Sequence, residues 1–292
     1  MSTELREIKN RIIGTRQIKR VAETLQRIAA TQLIQNRRTL ATSQRYLDRL
    51  QQLFRDAVAA APDLQHPLLR PQTGRAVTAV IIFGPERGLC GGFHSRLAEA
   101  LNHFMADRPA DLWHVTVAGK AAIRRVRHTG APIHEKYDDP YAKVLPRAPD
   151  NRLKYDLIDH LARTATQKFL EGPYHELYVI YGRFYSIFRQ EIVVRRLLPI
   201  EKPAGPFAPS AAAFAPDTGS VVNMILPELL YQWLYDACVH SLASENASRQ
   251  AAMSLASENA EKMVNELTLT YFRLRQESIT TEMIELSRPA AG

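Results

Sequence analysis

The residues best suited to chemistry by type and spacing lie in Gly84 to Phe93, GPERGLCGGF, directly after the apolar run AVTAVIIF from Ala76 to Phe83. A glycine-rich turn between a strand and a helix can hold a phosphate on its backbone N–H groups. This turn lacks the GxGxxG spacing of a dinucleotide site, and it lacks the lysine and Ser/Thr that end a P-loop. Two readings stay open: a phosphate cradle, or a tight turn in which Gly88, Gly91 and Gly92 permit close packing. The 9 histidines are scattered between His66 and His240 with no metal-ligand spacing. Asp138 and Asp139 precede Pro140 and read as a solvated turn rather than an acid/base pair. Cys90 and Cys238 have no CxxC spacing and read as free, reduced thiols. No catalytic residue, cofactor or metal is expected. Arg16 to Arg20, with Arg27, Arg37 and Arg38, is a candidate for nucleic acid, but only Tyr46 and Phe54 in that arm could stack on bases. A solvated or partner-facing helix surface is the expectation there, with a basic coiled-coil nucleic-acid binder as the alternative.

The elements that must carry these residues are set by the chain breakers. Met1 to Ala61 contains no proline and one glycine, Gly14, while Glu228 to Arg288 contains neither; all but Pro289 of the 17 prolines lie between Pro62 and Pro227. Each arm could form a helix of roughly 90 Å at 1.5 Å per residue, which disfavours a compact single-core enzyme. Residues 1–60 hold 12 Lys and Arg against 5 Asp and Glu, and residues 226–292 hold 5 against 9, so the arms carry opposite charge. Such charge selects partner and orientation more than it stabilises. Alternating steps of three and four place Ile18, Val21, Leu25 and Ile28 on one seam, and the next step lands on Gln32. A one-residue shift restores the pattern through Leu33, Leu40, Leu47, Leu50, Phe54, Ala57 and Ala61, which predicts a phase slip near residue 32. In the last arm Ala256, Ala260, Met263, Leu267 and Leu274 make a seam, after a stretch rich in Ser and Ala from Ser241 to Ala260.

The middle reads as short strands (Ala76–Phe83, Trp113–Ala118, Glu176–Tyr181, Glu191–Leu198) alternating with helices (His94–Met105, Lys120–Arg127, Arg152–Leu170). That alternation predicts a small α/β domain with a largely parallel sheet. Pro199 to Pro216 is too rich in proline for either element and reads as a linker. The predicted domains are 1–61, a first shaft helix; 76–198, α/β; 199–225, linker; and 226–292, a second shaft helix. No apolar run reaches the ~20 residues of a membrane span, and the start MSTELREIKN is not a secretory signal. With 46% hydrophobic and 23% charged residues, disorder over most of the chain is excluded.

Three local sequences occur in matching order: IKNRIIGTRQIKRVAETLQRIAATQL in the first arm, ERGLCGGF in the middle, and NASRQAAMSLASENAEKMVNELTLTYFRLRQESITTEMIEL at the end. Together they resemble the gamma subunit of F-type ATP synthases. The resemblance implies an antiparallel coiled coil of the N- and C-terminal helices with an inserted Rossmann-like α/β domain. It further implies a non-catalytic rotor that couples ion-driven rotation of a c-ring to ATP synthesis or hydrolysis at the hexamer of alpha and beta subunits. The implied partners are the alpha, beta and epsilon subunits and the c-ring, with no nucleic acid and no direct membrane insertion. The implied place is the cytoplasmic face of the bacterial plasma membrane. By matching position, Leu25, Arg27, Ile28, Arg275, Gln276, Thr280 and Glu282 would contact the alpha/beta hexamer. Glu86, Arg87, Gly88, Leu89, Cys90, Gly91, Gly92 and Phe93 would lie at the end that meets the c-ring and epsilon.

The departures from the family pattern are specific. Where the family carries AMEMVAAAK this chain has TLQRIAATQ, so Arg27 replaces a methionine and Gln32 a lysine, and Pro289–Ala290 stands where the family ends on Gly-Ala. These differences imply a divergent bacterial branch; the coupling ion, proton or sodium, would be chosen by other subunits.

Overall fold

The computed structural model describes residues 3–61, 63–71, 77–108, 112–138, 156–203 and 217–287. Asp139, Pro140, residues 204–216 of the expected linker, and Pro289–Ala290 lie outside the described residues. The chain runs α1 (Thr3–Ala60), a short 3-10 turn (Pro67–Leu69), β1 (Val77–Phe83), α2 (Phe93–Asp107), β2 (Leu112–Ala118), α3 (Lys120–Arg127), β3 (Ile133–Tyr137), α4 (Asp156–Leu170), β4 (Glu176–Phe184), β5 (Gln190–Leu198) and α5 (Thr218–Ser287). Two compact units result. One joins α1 up to Ala30 with α5 from Arg249 onward, and the other spans Thr31–Ser248.

In the first unit the two helices run antiparallel. Lys19 Nζ meets Glu261 Oε1 at 3.0 Å, and Thr15 Oγ1 lies 3.8 Å from Met263 Sδ. The buried seam of α1 runs through Leu5, Ile8, Ile12, Thr15, Ala22, Ala29 and Leu33, and on through Asn36, Ser43, Leu47, Leu50, Phe54 and Ala57, with Val58 buried beside its end. The seam positions keep one alternation of three and four along the whole helix, with half-buried Lys19, Gln26 and Leu40 at the intervening steps. The expected phase slip near residue 32 is therefore absent. The sequence pattern went astray because Ile18, Val21 and Ile28 are apolar but exposed, while the buried seam passes through Thr15, Asn36 and Ser43. On α5 the less exposed stripe is Met253, Ser257, Ala260, Val264, Leu267, Tyr271, Leu274 and Ser278, again in steps of four and three. Met263, expected on the seam, is exposed.

The second unit is built on a five-stranded sheet of order β3-β2-β1-β4-β5. β1 pairs parallel with β2 and β4, β2 pairs parallel with β3, and β5 returns antiparallel on β4. β3 was not apparent in the sequence because IHEKY alternates at an edge and carries no apolar run. Side chains alternate along β1: Val80 and Ile82 pack with Phe93, Leu97 and Leu101 of α2 and with Ile123 and Val126 of α3. Ala79, Ile81 and Phe83 face the opposite way, toward α4 and the lower parts of α1 and α5. The sheet is thus covered on both faces, as parallel sheets require.

The last helix starts at Thr218, ahead of the boundary expected at 226, and runs through Pro227. Asp217 starts it by accepting the Ser220 N–H at 2.8 Å on Oδ1. A proline inside a helix deletes one backbone bond and costs about 3 kcal/mol. Here Val222, Ile225, Leu226, Leu229 and Leu230 are all buried in the core around that turn. At ~1.5–3 kcal/mol per large apolar side chain, their burial outweighs the loss.

Candidate partner surface and the closed crevice of the sheet

In an open α/β sheet, ligands bind outside the carboxyl ends of the strands, where the winding reverses. Here that point lies between β1 and β4, at Phe83 and Gly182. The crevice is filled. Ser241 Oγ of α5 donates to the Phe83 carbonyl at 2.5 Å, and Ser244 Oγ donates to the Gly182 carbonyl at 2.8 Å. The Phe93 ring packs onto Gly182 so closely that a Cβ there would lie 2.4 Å from Cε2. The serines of α5, readable beforehand only as small residues, are therefore what closes the fold's ordinary ligand site.

The GPERGLCGGF loop is folded down by the same packing. Ala121 and Ala122 at the start of α3 donate their N–H groups to the Pro85 carbonyl at 3.0 and 3.2 Å. The Lys120 N–H donates to Glu86 Oε2 at 2.9 Å, and Lys120 Nζ lies 3.5 Å from Glu86 Oε1. A carboxylate from the loop thus caps the N-terminus of α3 and ties the turn to that helix. Gly119 takes φ +111°, a conformation that favours glycine, and a Cβ there would lie 2.3 Å from the Gly84 carbonyl oxygen. Of the loop residues expected to meet a partner, Cys90 and Phe93 are fully buried and anchor the turn; Arg87, Gly88, Leu89, Gly91 and Gly92 are exposed. Leu89 stands out at 60% exposure with φ 63°.

Tertiary packing brings together one cluster that sequence separation hid. His114 stacks on His134 at 4.6 Å and lies 3.4 Å from Glu135, which accepts Lys168 Nζ at 3.0 Å and the Tyr137 hydroxyl at 3.2 Å. Burial raises the Glu135 pKa, but the Lys168 ammonium outweighs it and holds the carboxyl below its usual range. Burial, with Lys168 nearby, lowers that of His114. The adjoining void is about 10 Å³, room for no more than a water. The cluster therefore cements α4 to β2 and β3 and admits no substrate. Among the described residues, no three His, Cys, Asp or Glu side chains gather as a metal site. Both cysteines are buried, and burial pushes the Cys238 thiol pKa up.

The aromatic residues of the basic arm are not arranged for bases. Phe54 is buried, and the Tyr46 hydroxyl bonds Glu228 Oε1 at 3.1 Å. What the first unit offers instead is apolar surface outside its own seam. Ile13, Ile18, Val21 and Ile28 on α1, and Leu255, Met263, Leu269, Phe272, Ile279 and Met283 on α5, are all exposed, with Ile18 at 62% and Leu269 at 71%. Scattered surface leucines are ordinary, but a helix pair lined this densely marks a protein-contact surface. Of the expected hexamer contacts, Arg27, Ile28, Arg275, Gln276, Thr280 and Glu282 are exposed and Leu25 is half-buried. Thr280 Oγ1 donates to the Gln276 carbonyl at 2.9 Å, and Glu282 accepts from Ser278 Oγ at 3.4 Å.

Comparison with known proteins agrees over almost the full length. A gamma chain of ATP synthase from Geobacter metallireducens is 28% identical over 287 residues, covering 97% of this chain and 96% of the relative. One from Heliobacterium modesticaldum is 29% identical over 297 residues, covering 99% and 98%. The fold is shared with the rotor of the Euglena gracilis mitochondrial ATP synthase at a TM-score of 0.62 and 14% identity, covering 94% of this chain and 99% of the other. It is also shared with a chain from the central stalk and c-ring of the Tetrahymena thermophila mitochondrial enzyme at 0.57 and 15%, covering 81% and 99%. The protein-family model described as ATP synthase matches residues 4–291, and the chain belongs to that family.

Proposed function

We propose that this chain is the central-stalk rotor subunit of an F-type ATP synthase, coupling rotation of a c-ring to ATP synthesis or hydrolysis in a hexamer of alpha and beta subunits. The observation that carries the reading is the paired helices with apolar side chains on their outward faces. A helix pair that buries its seam and still displays Ile18, Leu269 and Phe272 is built to sit inside a sleeve of other chains. Relatives named ATP synthase gamma chain, matched nearly end to end, support the same reading.

The subunit makes and breaks no phosphate bond. Its work is mechanical: a stiff, asymmetric rod biases the conformations of the sites around it only by contacting them differently. Leu25, Arg27, Ile28, Arg275, Gln276, Thr280 and Glu282 are the contacts to the hexamer. The loop Glu86–Phe93, through its exposed residues Arg87 to Leu89 and Gly91 to Gly92, serves the end that meets the c-ring and epsilon. The assembly sits on the cytoplasmic side of a bacterial plasma membrane, this subunit being peripheral; among the described residues no helix is long and apolar enough to cross a membrane.

Co-expression with and without the alpha and beta subunits tests the proposal. The expected result is an assembly with ATPase activity that needs this chain for ion-coupled synthesis. An assembly whose coupled synthesis is the same without the chain overturns it.

A further inference from the structure

The lower part of α5 holds a buried acid that the rotor contacts do not use. Asp236 is 5% exposed, and its Oδ1 has no hydrogen-bond donor. Its Oδ2 lies 3.8 Å from Nε2 of His240, one turn further on. The imidazole is held from its other side, where Nδ1 accepts the backbone N–H of Phe184 at 3.3 Å. A nitrogen that accepts carries no proton, so His240 is neutral in this geometry, with its proton on Nε2 toward the acid. Phe184 belongs to the β4–β5 hairpin, which packs through Phe184 and Ile187 on Leu33, Ala243 and Ala247.

The groups facing the pair come from every neighbouring element: Arg183 and Tyr181 from β4, Arg195 from β5, Asp48 from α1 and Trp233 from α5. The Trp233 ring holds Arg195 in place, its centroid 4.7 Å from the guanidinium.

A buried carboxylate with a donorless oxygen is costly in its charged form. An imidazole bonded by an N–H cannot become a cation without expelling that N–H. Both effects favour the same state, in which an available proton sits on the carboxyl oxygen. With the hairpin lifted, water reaches both groups and their ordinary order returns: the imidazole holds the proton and the carboxyl gives it up.

We propose that Asp236 and His240 form a proton-relocating pair: in mildly acidic solution, seating the β4–β5 hairpin on α5 moves one proton from imidazole to carboxyl, with no net uptake or release. On closing, the Nδ1–H bond of the imidazolium breaks and an O–H bond forms on Asp236 by way of water. Nδ1 then accepts Phe184, and a charged pair becomes a neutral one. The junction thereby keeps its strength as the medium acidifies, although two titratable groups lie at its centre.

The shifts agree in direction. Burial, against the pull of Arg195 and Arg183, raises Asp236 to about 6; burial, aided by Arg183, lowers His240 to about 4. Alone, the acid makes docking take up a proton as pH falls from about 6 toward its unfolded value near 3.9, which strengthens docking. Alone, the histidine makes docking release a proton below its unfolded value near 6.5, which weakens docking down to about 4. Over the shared window the two cancel.

The experiment is amide hydrogen exchange of the hairpin in the full-length chain between about pH 6.5 and 4.5, for wild type, Asp236→Asn, His240→Gln and the double variant. Relative to wild type, acidification should increase hairpin opening in Asp236→Asn and decrease it in His240→Gln, each on the order of tenfold or more, while the double variant follows wild type. Slopes of the same sign in the two single variants, or none in either, overturn the proposal. If a variant fails to fold, infrared difference spectra of the wild-type chain between about pH 7 and 5 decide: a buried protonated-carboxyl band supports it, and its absence overturns it.

Discussion

Ser244 Oγ donates to the carbonyl oxygen of Gly182 across 2.8 Å, and this bond lays α5 over the point where the winding of the sheet reverses. Together with Ser241 on the Phe83 carbonyl, it converts the usual ligand crevice of an α/β sheet into an attachment for a helix. Removing both hydroxyls leaves two buried carbonyls without those donors, at about 1–3 kcal/mol each. The double variant Ser241→Ala/Ser244→Ala should lose on the order of 2–6 kcal/mol in urea unfolding. A loss near zero would show that the serines matter only for their size.

Gly182 admits no side chain, because its Cβ would lie 2.4 Å from Phe93 Cε2 and 3.0 Å from Ser244 Cβ. Gly182→Ala should destabilise the chain by about 1–3 kcal/mol through overpacking. Adding Phe93→Leu should recover part of that loss, and thermal unfolding of the three proteins reads it directly.

The buried polar pair of the lower helices sets their register: Gln232 Nε2 donates to Ser43 Oγ at 2.8 Å. Ser43→Ala and Gln232→Leu should each cost about 1–3 kcal/mol, and the double variant less than their sum, because neither partner is then left unsatisfied. Additive losses in a double-mutant cycle would sink the pairing.

Acid should weaken α4 through Glu135. Its folded pKa is held low, so its contribution is present above the unfolded carboxylate value and is lost as pH falls through the folded one. Lys168→Met removes the ammonium at 3.0 Å and should move the acid-unfolding midpoint to higher pH. An unchanged midpoint by circular dichroism would count against the ion pair.

The exposed apolar face separates assembly from folding. Phe272→Ser and Leu269→Ser should change the stability of the isolated chain by about 0.5 kcal/mol or less, as surface substitutions do. In the assembly with alpha and beta subunits, the same changes should reduce coupled activity severalfold. Equal losses in both assays would mean the face is structural.

Breaker placement alone determined two long helices around an interrupted α/β middle, because a missing proline or glycine acts locally on backbone geometry. The apolar runs AVTAVIIF and WHVTVA determined β1 and β2 for the same local reason, and the quoted motifs carried the family. Tertiary structure decided which face of each helix is inside. Ile18, Val21 and Ile28 satisfy a heptad as well as the true seam does, and the seam itself includes Asn36 and Ser43; periodicity cannot tell a helix's own partner from an outside one. Pro227 inside α5, the edge strand β3, the Asp236–His240 pair and the serines that close the sheet crevice all depend on groups far apart in the chain. Their energies come from burial and from hydrogen bonds across elements, which local composition does not encode.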